Sequence, residues 1–243
     1  HDEVFSSVFL SNKILDIYKE LLETEELIYS GESSISYNKL AYTGWHSDDQ
    51  KNYSLSKNEK TFQIRGGFFF QSTEGNSGGI KFLRGSHFYM SPLKLFKKII
   101  KKLIKNENFD NSIANLRILR SKNFFPNKKD FCLWDKRIIH SPWAIKLKKL
   151  PNVSLHPKVE NFFLKKENLL PIFEKRSFPR SLGSLDFARK SEGYNAYIEN
   201  LNNRSDYNNY WLSKKYIITD DFISKLKEKK ITLNTKCFEK HIQ

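Results

Sequence analysis

The sequence predicts a mainly β fold with flanking helices (α+β), built as a sandwich or barrel. Three stretches carry that expectation. Thr61 to Ser72 (TFQIRGGFFFQS) is dense in aromatic residues and reads as a strong strand. Thr73 to Gly79, rich in Gly, Ser and Asn, reads as a turn into a short second strand, Ile80 to Leu83, and the two strands are expected to form an antiparallel hairpin. Phe131 to His140 (FCLWDKRIIH) reads as one further strand, with Cys132, Trp134, Ile138 and His140 on its even-numbered face.

The remaining elements follow in order. From Asn12 to Leu27, Ile14, Leu15, Tyr18, Leu21 and Leu22 recur at helical spacing behind Ser11, a candidate N-cap. Ser34 to Tyr42 is loosely alternating and extended, and Lys51 to Lys60 is a polar loop. Leu93 to Lys105 is an amphipathic helix with Phe96, Ile99, Ile100, Leu103 and Ile104 on one face and six lysines on the rest. Beyond a polar linker, Leu116 to Arg120 is a strand, the region around Pro126 a turn, and Asn152 to His156 a short strand. Patterning weakens from Pro157 onward, apart from aromatic clusters and a terminal helix over Asp220 to Lys230. The expected organisation is one domain over 1–243, its core at about 30–160. The stretch from about 160 to 243 is read as an extension without an independent fold.

Composition bounds the function classes. The 243 residues suffice to bury a core, and 20 Phe with 11 Tyr argue against disorder. No apolar run reaches the roughly 18 residues a membrane-spanning helix needs. Cys132 and Cys237 form neither a disulfide framework nor a metal-type spacing, so a cytoplasmic setting is expected. The net charge of +15 is mostly lysine spread along the chain, without an interleaved aromatic platform, so nucleic acid is a disfavoured partner. An anionic small substrate is compatible with the same surplus.

The chemistry centres on Trp45-His46-Ser47-Asp48. In an extended segment, residues two apart share a face, so His46 and Asp48 can grip one edge of a divalent ion. A second imidazole from elsewhere would complete a two-histidine, one-carboxylate set that leaves half the coordination sphere open. Asp49 would take the place of Asp48 if the segment were a turn. Each ligating imidazole should bond its other nitrogen to an outer acceptor.

Three motifs in order match a known pattern. These are Trp45-His46-Ser47-Asp48, the stretch Gly78-Gly79-Ile80-Lys81-Phe82-Leu83-Arg84-Gly85-Ser86-His87, and Asp130 to His140 with Arg137 three residues before the final histidine. Over about residues 35–156 the chain resembles the phytanoyl-CoA dioxygenase-like family of Fe(II)/2-oxoglutarate-dependent oxygenases. The resemblance implies a double-stranded β-helix core, jelly-roll or cupin-like. It implies Fe(II) held by His46, Asp48 and His140, and 2-oxoglutarate as co-substrate. The implied activity is hydroxylation of a small or carrier-bound substrate with release of succinate and CO₂. Halogenating relatives replace the carboxylate with a small residue, so Asp48 favours a hydroxylase.

The co-substrate anchor departs from the pattern. The family places an Arg about ten residues after the distal histidine, at the start of the next strand. Here that stretch is Lys146-Leu147-Lys148-Lys149-Leu150-Pro151-Asn152. Lys149, with Lys148 behind it, is the candidate; Lys supplies charge but not the bidentate fork. Arg65 and Arg137, from other strands, are the alternative candidates. Tyr42 and Gln71 are candidate polar groups of the co-substrate pocket, His87 is expected to shape its turn, and Arg137 is expected in a structural ion pair. The alternative function is a catalytically silent jelly-roll module that keeps the metal triad without the anchor. The loop at 51–60 and the helix at 93–105 are candidate lid elements.

Overall fold

The structure is a computed structural model, and it describes residues 3–37, 44–48, 59–73, 78–84, 86, 121–144, 146–150, 153–164, 181–202 and 218–234. Its strands are β1 (Ile28–Tyr37), β2 (Gln63–Phe69), β3 (Gly79–Leu83), β4 (Ser121–Phe124), β5 (Phe131–Asp135), β6 (His140–Ala144), β7 (Ser181–Ala188) and β8 (Thr232–Leu233). The helices are α1 (Glu3–Phe9), α2 (Asn12–Leu22), α3 (Pro157–Leu164), α4 (Glu192–Asn202) and α5 (Asp220–Glu228). Two sheets form, one ordered β5-β2-β7-β1-β8 and the other β4-β3-β6. An isolated antiparallel bridge between His46 and His140 adds a fourth segment at the free edge of β6.

That pairing defines a jelly roll. β1 pairs with β7, the His46 segment with β6, β2 with β5, and β3 with β4, all antiparallel. Within the roll the first strand, β1, thus meets the last, β7, and the middle two meet each other, as in one long hairpin rolled into two sheets, while β8 adds in parallel at the outer edge of β1. The mainly β fold with flanking helices is therefore as expected.

Alternation along the strands sorts the side chains. Leu185 and Phe187 of β7, Ile64 of β2 and Tyr29 of β1 face outward and pack with Phe9, Leu15, Tyr18, Leu22, Phe222 and Leu226 from α1, α2 and α5. Phe69, Ile80 and Trp134 form a second cluster between the sheets, joined by Phe82, Cys132, Ile138 and Leu182. Gly67 makes room there, because a Cβ would stand 3.0 Å from the Trp134 ring.

Several expectations are corrected. β2 and β3 are not a hairpin: they lie in different sheets. Phe131 to His140 is not one strand. Residues 136–139 form a turn, and His140 opens β6 instead of closing β5. Residues 153–156 carry no strand, with Val153 exposed. The sheet also continues past residue 160, since β7 stands between β1 and β2. A strand that central is covered on both faces and loses its alternating pattern, so all of Gly183 to Ala188 is buried. Residues 51–58, 93–105 and 116–120, with Tyr42, Asp49 and His87, lie outside the described residues.

Candidate metal centre

His46 and His140 face each other across two backbone hydrogen bonds, His46 N to His140 O at 3.0 Å and the reverse at 2.8 Å. A third bond, from Asp48 N to the Lys136 carbonyl at 3.1 Å, holds the acid beside them. The metal-type side chains thus meet because two short segments pair, although His46 and His140 stand 94 positions apart in the sequence.

The ligand atoms of His46, Asp48 and His140 all lie within 4.8 Å of one another, and these three can hold a metal ion. Asp48 Oδ2 stands 3.9 Å from His140 Nε2, and the two imidazole centroids are 4.4 Å apart. Such spacing suits an ion roughly 2.0–2.2 Å from each donor. Both Nδ1 atoms meet a carbonyl two residues earlier, Gly44 O at 3.0 Å for His46 and Ile138 O at 3.1 Å for His140. A carbonyl only accepts, so Nδ1 carries the proton and Nε2 of the neutral ring keeps its lone pair for a metal.

Electrostatics keep the set in its ligating form. Burial pushes the His140 imidazole down to about 4, against the pull of Asp48 upward, so the ring is neutral at physiological pH. For Asp48, burial works against the charge, but Arg65, His140 and Lys136 outweigh it and hold the carboxyl well below its usual range. The donor chemistry therefore fits a divalent cation: the neutral imidazole of His140 and the ionised carboxylate of Asp48, with the His46 ring beside them.

Around the triad lies a buried charge cluster that the sequence did not disclose. Arg65 reaches Asp48 Oδ1 at 3.1 Å and grips both oxygens of Asp186 at 2.8 Å. Lys136 meets Asp186 at 2.8 Å, the Tyr197 hydroxyl at 2.7 Å and the Glu32 carboxylate. Glu32 is turned there by a bulge in β1 between Tyr29 and Ser33, where Gly31 has φ 80°. Burial disfavours the Glu32 charge, yet Lys136 and Arg65 lower its pKa overall. Ser86, in the Gly-Ser-His loop, accepts a bond from Ile139 N at 2.7 Å and so fixes the turn that delivers His140. Trp134 donates from Nε1 to Asp48 Oδ2 at 3.4 Å.

Lys148 and Lys149 are exposed on the connection after β6. Gln71 lies past the end of β2 remote from Arg65, where its Oε1 accepts from Ser181 N at 2.7 Å. Arg137 is in the expected ion pair, with Asp135 at 2.6 Å. Among the described residues, the buried cations nearest the triad are each matched to carboxylates.

No family model matches the chain, and no curated protein does. Solved structures do. EctD from S. alaskensis with bound Fe is 14% identical with a TM-score of 0.45, over 77% of this chain and 53% of that one. The non-heme α-ketoglutarate-dependent epimerase SnoN, from nogalamycin biosynthesis, is 10% identical at 0.44, over 77% and 56%. HygX from Streptomyces hygroscopicus, solved with nickel, 2-oxoglutarate and hygromycin B, is 13% identical at 0.41, over 78% and 66%. The chain spans about half the length of the first of these structures. The topology and the triad geometry stand without these likenesses.

Proposed function

We propose that the protein is an Fe(II)- and 2-oxoglutarate-dependent oxygenase of the phytanoyl-CoA dioxygenase-like kind, hydroxylating a small or carrier-bound substrate. The observation that carries the reading is the His46–Asp48–His140 set on a jelly roll, its ligand atoms all within 4.8 Å of one another. Fe(II) bound there would supply oxidative decarboxylation of 2-oxoglutarate to succinate and CO₂ coupled to substrate oxidation. The chain's own part is to orient three donors on one face, to keep His140 neutral, and to wall the centre with Trp134 and Phe82, whose rings lie 5.8 and 6.1 Å from the His140 ring. Asp48 fills the position a halide would need, which favours hydroxylation. We further propose one domain over 1–243, in a cytoplasmic setting.

For the distal carboxylate of 2-oxoglutarate, the proposed anchors are Lys149 with Lys148, aided by Tyr42 and Gln71, or Arg180. The strand that follows the distal histidine in this roll is β7, and Arg180 immediately precedes it in the sequence. An arginine there would restore the bidentate fork. The silent binding module is favoured by one observation, the pairing of Arg65, Lys136 and Arg137 with carboxylates.

Succinate release is the test. Formation of succinate that needs Fe(II), 2-oxoglutarate and O₂ together, absent in His140→Ala, supports the oxygenase. Iron bound through the triad with no binding of 2-oxoglutarate leaves the silent module. Whichever of Arg180→Ala and Lys149→Ala raises the KM for 2-oxoglutarate identifies the anchor.

A further inference from the structure

Arg65 is wedged between two carboxylates. Its Nε and Nη2 donate to the two oxygens of Asp186, each at 2.8 Å, and its Nη1 lies 3.1 Å from Asp48 Oδ1. Asp186 is fully buried and is held in turn by Lys136 at 2.8 Å. The other oxygen of Asp48, Oδ2, is the one that stands 3.9 Å from His140 Nε2, and Trp134 Nε1 reaches it at 3.4 Å. The two oxygens of Asp48 are therefore not equivalent: one is occupied by a guanidinium and one is turned toward the imidazoles.

We propose that Arg65, clamped by Asp186, is a positioning residue of the metal centre: it occupies Asp48 Oδ1 and so restricts this carboxylate to a single oxygen, Oδ2, toward the metal. The inference rests on the metal-binding reading above. A carboxylate with both oxygens free can chelate a cation and take two coordination positions. Three single-atom donors leave three positions of an octahedron open, enough for a chelating oxo acid and O₂. A second oxygen from Asp48 would remove one of them. The fork geometry of Arg65 is what allows one side chain to grip Asp186 in two places and still reach Asp48. The cluster also suits a divalent guest, since Asp48, Asp186 and Glu32 are three carboxylates facing the two cations Arg65 and Lys136.

The experiment uses Co(II) as the probe, read by its ligand-field absorption, in the parent, Arg65→Lys, Asp186→Asn and Asp48→Ala. Arg65→Lys keeps the charge and loses the fork; Asp186→Asn loosens Arg65 without touching Asp48. Both are expected to bind Co(II) roughly 10- to 100-fold more weakly, with bands that shift and lose intensity as the coordination number rises. Bands that superimpose on the parent's, at any affinity, overturn the proposal, because lost packing alone weakens binding without changing the donor set. Asp48→Ala separates the two levels: if it binds Co(II) as the parent does, the metal-binding reading itself fails. Should both charge-cluster variants fail to fold, a crystal structure of the metal-loaded parent decides. Oδ2 alone on the metal, with Oδ1 on Arg65, supports the proposal; both oxygens on the metal overturn it.

Discussion

His140 combines burial with a carboxylate neighbour, and burial prevails: its imidazole is pushed down to about 4. In the unfolded chain the same ring titrates near 6.5. Between those values the unfolded state binds the extra proton, so stability is full above about pH 6.5 and is lost as pH falls toward 4. For the metal-free protein in chelator, urea unfolding at pH 5 should show about 2 kcal/mol less stability than at pH 7 from this group. The loss should shrink in His140→Phe; an unchanged pH dependence would contradict the assignment. At this scale the triad was legible because His46 and Asp48 sit two apart and His140 follows a patterned segment. Arg65 and Asp186 were not legible as a pair, since 121 positions separate them and neither stands in a motif. Burial pushes the Cys132 thiol up to about 12, with Asp130 adding to the effect. In a Cys237→Ser background, Cys132 should resist alkylation at pH 8 until the protein is denatured; labelling at a free thiol's rate would refute this.

Among the elements, α3 is fixed to the smaller sheet by one buried ion pair. Lys81 of β3 meets the Glu160 carboxylate, both side chains fully buried, and donates to Leu155 O at 2.8 Å. Removing one partner strands the other charge, so Glu160→Gln should cost about 3–5 kcal/mol in urea unfolding. Replacing both, as Lys81→Met with Glu160→Leu, should recover most of that. Equal losses in the single and double variants would argue against a stranded charge. Across the larger sheet, α2 docks on a glycine. A Cβ at Gly66 would come within 2.1 Å of the Tyr18 hydroxyl and 2.4 Å of the Phe131 ring. That hydroxyl donates to Leu185 O at 3.1 Å, so the contact cannot simply move away. Strand content was legible here, but partners were not. The turn composition at 73–79 suited a hairpin, while the roll carries β3 into the other sheet. The break at residues 136–139 was hidden because apolar alternation continues through Ile138 to His140.

For the whole molecule, the pairing of first strand with last sets the outcome. β7 joins β1 to β2, so it closes the larger sheet from beyond residue 180. Chain 1–160 would leave β1 and β2 without their shared neighbour and expose Tyr29 and Ile64 of the outer core. That fragment should show no cooperative unfolding transition by circular dichroism; a cooperative transition would show that the core ends where patterning fades. β7 was illegible for a physical reason: a strand buried on both faces has no polar alternation to read. The surface charge, by contrast, was legible but uninformative about the site, whose charges are buried and nearly balanced. No helix among the described residues is long and apolar enough to cross a membrane.

The most direct measurement is anaerobic addition of Fe(II) and 2-oxoglutarate to the purified protein, followed in the visible region. The account predicts the charge-transfer band of an Fe(II)–oxo acid chelate in the parent, and no band in His46→Ala, Asp48→Ala or His140→Ala. A parent that binds Fe(II) yet develops no band, or variants that develop it as the parent does, would contradict the account.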